Sequence, residues 1–318
     1  MEYTLFKNRS YRGVISAGFG LYFTHFRLFF KASWIMALLY AAVFAALGTL
    51  CVIKLPAISA EIMKQTVVQH QELSVATAQE YLLLGGAIII LTLLYIIVEA
   101  CTFATVLNKL KEHQDTDTMT VPAKWFSICR KLMGRTLKGY IFSLLVILVP
   151  VLVLIGLIIT LLKFVALAPV TLTTTSLILA IAIILLAFPL VYVAIKYILN
   201  KGQAYFSVLS KSYGTGLRHW GHIFTTCLVA GMIVSILVGL FCLPIIILTQ
   251  AHVLAQEGYL NGDPLGMPDY VNLLTIVTFF ITGFILVYLY MPLLLVYYYM
   301  YGSIEAYEKE KANIKNEI

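Results

Sequence analysis

Few side chains in this sequence are placed to do chemistry, and Glu99 is the first of them. It closes a charge-free run from Tyr81 to Val98. If one helix covers Tyr81 to Leu107, a rise of about 1.5 Å per residue puts Glu99 about 12 Å inside its far end. A carboxylate within hydrocarbon costs about 2.5 to 3.5 kcal/mol on insertion scales, so it needs a partner. His222, Lys138 and Lys196 begin or end other apolar runs on the same side and are the candidates. The competing reading puts Glu99 in the headgroup zone, paired structurally with a basic helix.

His219 and His222, three residues apart beside Arg218, share one helical face. That spacing suits a metal or a proton relay, but no carboxylate or third histidine stands near them in sequence, so an interfacial role competes here too. His25 is read in the same way, whereas His70, His113 and His252 fall in connections without a cluster. The motifs G-x-x-x-x-G-K-[ST], H-E-x-x-H and G-x-S-x-G are absent, as is an acidic pair for phosphoryl transfer. No catalytic residue, cofactor or metal is therefore expected. Cys51, Cys101, Cys129, Cys227 and Cys242 are scattered without a CxxC, and read as small buried hydrophobes rather than ligands or disulfides.

The elements that must position these groups are membrane spans. The 318 residues are 61% hydrophobic and 12% charged, which is not the composition of a soluble, disordered or coiled-coil protein. About 20 apolar residues in a helix cross a hydrocarbon core of about 30 Å, because no backbone group can stay unpaired in lipid and a helix pairs all of its own. Such runs cover Ala32 to Ile53, Tyr81 to Val98, Gly139 to Leu162, a helix beginning near Ser176 after a turn at Ala168-Pro169 and ending at Ile195, a run from near Ile223 to Gln250, and Tyr270 to Ile304. The expected fold is all-α: a polytopic bundle of six transmembrane helices, forming a single integral membrane domain over residues 1–318. The first run begins too late and is too long for a cleavable signal, so it is expected to stay in the protein.

Of the 22 Lys and Arg, 19 fall in the N-terminal segment, the second-to-third connection, the fourth-to-fifth connection and the C-terminal tail. Positive charge near span ends resists translocation, so these four segments and both termini are expected on the cytoplasmic side of a bacterial inner membrane. An even number of spans fits this distribution. The net charge of +7 then records orientation, and nucleic acid is not an expected partner.

Along Tyr11 to Lys31, aromatic and aliphatic residues recur at three- and four-residue intervals among Arg12, His25 and Arg27, the pattern of one amphipathic helix lying on the membrane. Phe126, Ile128, Leu132, Met133 and Leu137 with Arg130, Lys131, Arg135 and Lys138 repeat the theme. Arg27, Lys31, Arg130, Lys131 and Arg135 are the residues expected to meet anionic headgroups, at about 1 kcal/mol each. Pro150, Pro189, Pro244 and Pro292 should bend their helices. Tyr288, Tyr290, Tyr297, Tyr298, Tyr299 and Tyr301 crowd the sixth span; the cytoplasmic-side group reads as an aromatic belt, with a stacking ligand site as the alternative.

Internal repetition is also legible. Gly134 to Phe142 and Gly216 to Phe224 both read G-x-x-x-x-G-x-I-F, with Gly20 to Ile35 a looser relative, and Leu107-Asn108-Lys109 echoes Leu199-Asn200-Lys201. Three units are expected, over 11–110, 125–203 and 205–307, each an interfacial helix followed by a span out and a span back.

The six spans, the basic aromatic helices and the G-x-x-x-x-G-x-I-F junctions resemble several uncharacterised bacterial six-helix membrane-protein families. They are also similar to the integral-membrane domain joined to some glycerophosphodiester phosphodiesterases, which likewise strings cytoplasmic amphipathic helices between spans. The likeness covers nearly the whole chain. The soluble phosphodiesterase portion is missing, so that activity is not implied. Two functions are left open: a non-enzymatic scaffold of the cell envelope that binds lipid or a protein partner, including a second copy of itself, and a transporter or flippase with a path between the repeats.

Overall fold

A backbone surrounded by apolar side chains must bond to itself, and this chain does so almost throughout. The computed structural model describes residues 4–68, 74–116, 125–164, 169–200, 202–262 and 267–317. Among these the regular elements are helical: α1 (Tyr11–Thr24), α2 (Phe26–Thr49), α3 (Leu55–Met63), α4 (Val75–Thr116), α5 (Trp125–Phe164), α6 (Pro169–Leu199), α7 (Tyr205–Arg218), α8 (Trp220–Leu260) and α9 (Asp269–Glu317). Six stretches are long and apolar enough to cross a membrane: Phe26–Val67, Val75–Leu107, Gly134–Val153, Ser176–Leu199, Trp220–Leu260 and Tyr270–Ile314.

The helices overrun the apolar runs that define them. At about 1.5 Å per residue, the 41 residues of α8 and 49 of α9 reach about 60 Å and about 75 Å, twice a hydrocarbon core or more. The first span likewise continues past Ile53 through a wide π-helical stretch, Leu50–Lys54, into α3 and a second such stretch, Lys64–Val68. Pro56 stands at the start of α3, where the missing N–H is tolerated because the preceding turn has already widened. Pro150, Pro189, Pro244 and Pro292 do lie inside helices.

Three boundaries differ from the sequence expectation. The single amphipathic helix expected over Tyr11 to Lys31 is two helices broken at His25. The turn expected ahead of Ser176 is already helix, because Pro169 opens α6 with its ring preorganised for a first turn. The stretch ahead of Gly139 is not separate from its span, since α5 runs unbroken from Trp125.

The chain forms two compact units. One comprises Met1–Ala32, Phe103–Ile233 and Met291–Ile318. Within it α5 packs on α6 and α6 on α7, and Gly216 lets α7 approach so closely that a Cβ there would lie 2.9 Å from the Pro189 Cβ. Gly18 does the same for α1 against α9, where a Cβ would lie 2.7 Å from Val296. Tyr192, Tyr298 and Tyr299 fill the interior, and the Tyr298 hydroxyl donates to the Leu110 carbonyl at 2.9 Å. These buried tyrosines correct the aromatic-belt reading for their part of α9: their rings face protein.

The second unit comprises Ser33–Thr102 and Val234–Tyr290. The hydroxyls of Tyr40 and Tyr95 meet at 2.5 Å, and Phe44 stacks on Tyr40 and lies tilted against Tyr95 and Phe279. His252, expected in a connection, is buried in α8 with its Nε2 3.0 Å from the Thr275 hydroxyl. Ser74 caps α4 by accepting from the Thr77 amide at 3.1 Å.

Candidate functional site: the basic junctions

Two helix junctions share one construction. α1 and α7 are each 14 residues long, and each ends at a histidine in nearly the same conformation, φ −113° and ψ 21° at His25 and φ −99° and ψ 19° at His219. The hydrogen-bond ladder barely notices the break. His25 N–H bonds the Leu21 carbonyl and its own carbonyl receives Phe29 N–H; His219 N–H bonds Thr215 and its carbonyl receives Ile223 N–H.

In this register Tyr11 matches Tyr205, Val14 matches Val208, Ser16 matches Ser210, Gly20 matches Gly214 and Phe30 matches Phe224. Burial follows it. Val14, Gly18 and Tyr22 are buried in α1, and Val208, Ser212 and Gly216 at the matching positions of α7. The motif that Gly216 shares with Gly134 does not bring a second such junction, since α5 has no break at Gly134.

The segment ahead of each short helix is tied down by an arginine. The Arg9 guanidinium donates to the carbonyls of Thr4, Leu5 and Lys7 at 2.5, 3.2 and 3.3 Å and lies over the Tyr299 ring. Burial pulls its pKa down, with Tyr299 opposing the shift, but an arginine remains charged. The Arg135 guanidinium donates to the carbonyls of Tyr197, Asn200 and Gln203 and lies 4.2 Å from the Tyr197 ring centroid. The carbonyls of Tyr197 and Asn200 stand at the C-terminal end of α6, where no helical N–H is left to bond them and where positive charge is favoured, and Gln203 lies just ahead of α7.

The junction cations thus divide by task. Arg9 and Arg135 hold backbone, and Lys109, which the sequence places in a connection, is turned inward at 2% exposure. Lys196 donates to the Glu305 carboxylate at 2.6 Å and to the Tyr192 hydroxyl at 3.1 Å; Tyr192 in turn donates to Glu305 at 2.5 Å. Side-chain exposures of 25% and 19% make this a sheltered pair joining α6 to α9. Arg12, Arg27, Lys31, Lys138, Lys211 and Arg218 are exposed. The side chains of Arg130 and Lys131 lie outside the described residues.

On the exposed side of the first junction, Phe23, Phe26, Arg27, Phe30 and Lys31 follow one another at intervals of three, one, three and one, which is one helical face. Phe26 and Phe30 touch with ring centroids 6.0 Å apart, while Tyr22 and Phe29, on the other face, are buried. The second junction exposes Phe206, Lys211, Leu217 and Arg218.

His219 and His222 do have a carboxylate at hand, 89 residues on in the sequence: Glu308 of α9 meets His219 Nε2 at 2.7 Å and Arg218 at 3.4 Å. Only the fold brings it there, so sequence spacing could not have found it. Glu99 is half-buried in the other unit, and Tyr40, Tyr95 and Tyr290 are among the groups on which its charge acts. Lys138 is exposed, and the carboxylate on Lys196 is Glu305.

The fold defines an all-helical, multi-pass integral membrane protein. No protein-family model, curated protein or solved structure matches the chain.

Proposed function

We propose that this chain is a non-enzymatic scaffold of a bacterial inner membrane, with both termini cytoplasmic, that engages anionic lipid headgroups through its basic junctions and thereby presents a surface to a protein partner or a second copy. The observation that carries this is the exposed face of Phe23, Phe26, Arg27, Phe30 and Lys31. Aromatic rings at headgroup depth beside cations suit the boundary between hydrocarbon and anionic phosphate. The grouping of 19 of the 22 Lys and Arg in alternate connections and the tails supports the orientation.

Native mass spectrometry of the protein released from mild detergent tests the lipid reading. Wild type retains phosphatidylglycerol over phosphatidylcholine, and the double change Arg27→Gln, Lys31→Gln reduces that preference. Equal retention of both lipids by wild type contradicts the reading. A transporter or flippase working through Glu99 would instead lose substrate flux in a folded Glu99→Ala variant. On the scaffold reading that substitution leaves lipid preference unchanged.

A further inference from the structure

A polar cavity of about 400 Å³ opens in the first unit, where the chain ahead of α1, the α7–α8 junction and the C-terminal half of α9 converge. Arg9, Arg218, His219, His222 and Lys311 all line it. Such a volume is in the range of small-molecule sites, and the three cations Arg9, Arg218 and Lys311, brought together from three separate segments, repel one another unless an anion sits among them.

Two carboxylates stand nearby and offset only part of the charge of Arg9, Arg218 and Lys311; one of them, Glu310, accepts from the Asn8 amide of the cavity wall at 3.3 Å. Glu308 engages His219 and Arg218. Lys311 makes no ion pair within 4.0 Å among the described residues, and its charge reaches Glu308 only at longer range. Arg9 spends three of its five N–H donors on the carbonyls of Thr4, Leu5 and Lys7, which fixes the plane of the guanidinium and leaves two donors over.

One further atom is orphaned: Nε2 of His222, a residue of the cavity wall, is buried and has no hydrogen-bond partner among the described residues. A buried polar atom without a partner is costly, and it points to a group that belongs there.

We propose that this cavity binds a phosphate-bearing anion, the headgroup of a phospholipid or a free phosphate compound, with Lys311, Arg218 and Arg9 supplying charge and His222 a directed hydrogen bond. Charge-assisted bonds to phosphate oxygens are the strong class of hydrogen bond, and an arginine held in a fixed plane is suited to them. The site is distinct from the aromatic-basic surface of the first junction and does not depend on it, because Arg27 and Lys31 are not part of the cavity.

The test uses the full chain in phosphatidylcholine nanodiscs and two probes, inorganic phosphate and short-chain dihexanoyl phosphatidylglycerol, followed by titration calorimetry. Saturable binding of a probe, weakened about tenfold or more, the cost of one good charged contact, in both Lys311→Gln and His222→Leu, is the expected result. Binding of the lipid alone assigns a headgroup site, and binding of phosphate assigns a free-phosphate site. Lys311 is exposed at the end of α9, so its variant reads the site even if the His222 variant does not fold. The proposal is overturned if neither probe binds saturably, or if a folded variant of either residue keeps wild-type affinity.

Discussion

His25 and His219, 194 positions apart in the sequence, each stop a 14-residue helix with the backbone turned to nearly the same φ and ψ. The helix restarts at once with an aromatic residue, Phe26 in one case and Trp220 in the other. The equivalence extends to what the short helices bury, so the two junctions answer to one geometric requirement: a short helix must reach close to a long one before the chain enters its span.

That requirement is met by missing side chains. Gly18→Leu and Gly216→Leu each push a branched chain into space held by Val296 or Pro189 and are expected to destabilise the protein by about 1 to 3 kcal/mol. Gly221→Leu, in open space on α8, leaves thermal stability within about 0.5 kcal/mol of wild type. Unfolding in a fixed detergent, followed by circular dichroism, separates the two classes.

The α6–α9 lock makes a second prediction. Lys196→Met leaves Glu305 sheltered with Tyr192 as its donor and without its cation. Breaking a fully buried pair costs about 3 to 5 kcal/mol, and replacing both partners by apolar groups costs much less; this pair, still 25% and 19% exposed, loses less than that but in the same order. Lys196→Met, Glu305→Leu is therefore more stable than Lys196→Met alone, and a thermal melt showing additive losses would reject the lock.

Arg135 makes a third. Arg135→Gln strips charge-assisted bonds from the carbonyls of Tyr197, Asn200 and Gln203, at about 1 to 3 kcal/mol for a buried acceptor left unpaired. Arg135→Lys does not restore the loss, because a point charge cannot bond three carbonyls and stack on Tyr197 at once. Hydrogen exchange at the amides of residues 202–206 should rise in both variants, and wild-type protection in Arg135→Lys would show that charge alone suffices.

How much of this was readable beforehand depends on the range of the interaction. Six apolar runs announce six spans because membrane helices satisfy their backbones locally, and composition alone finds them. The helix break at His25 was not legible: Tyr11 to Lys31 has one continuous hydrophobic period, and nothing in the residue types says that α1 must turn to pack on α9 through Gly18. The cations were the least legible group. Arg27 and Arg135 look alike in sequence, yet one is exposed and the other caps a helix, and the difference lies in carbonyls more than 60 residues away. Glu305 and Glu308, the carboxylates that hold Lys196 and His219, follow the sixth apolar run, and their spacing in the sequence does not point to either partner.

The orientation of the chain bears all of the functional reading, and impermeant maleimide labelling of single-cysteine variants in intact cells tests it most directly. In a background free of native cysteines, Asn261→Cys, in the turn after α8, is expected to react from outside, while Arg12→Cys and Asn313→Cys, both exposed on their helices, react only after the membrane is opened. Labelling of Arg12→Cys and Asn313→Cys on opposite faces, or of Asn261→Cys on the same face as both, would contradict six spans with the basic junctions turned inward.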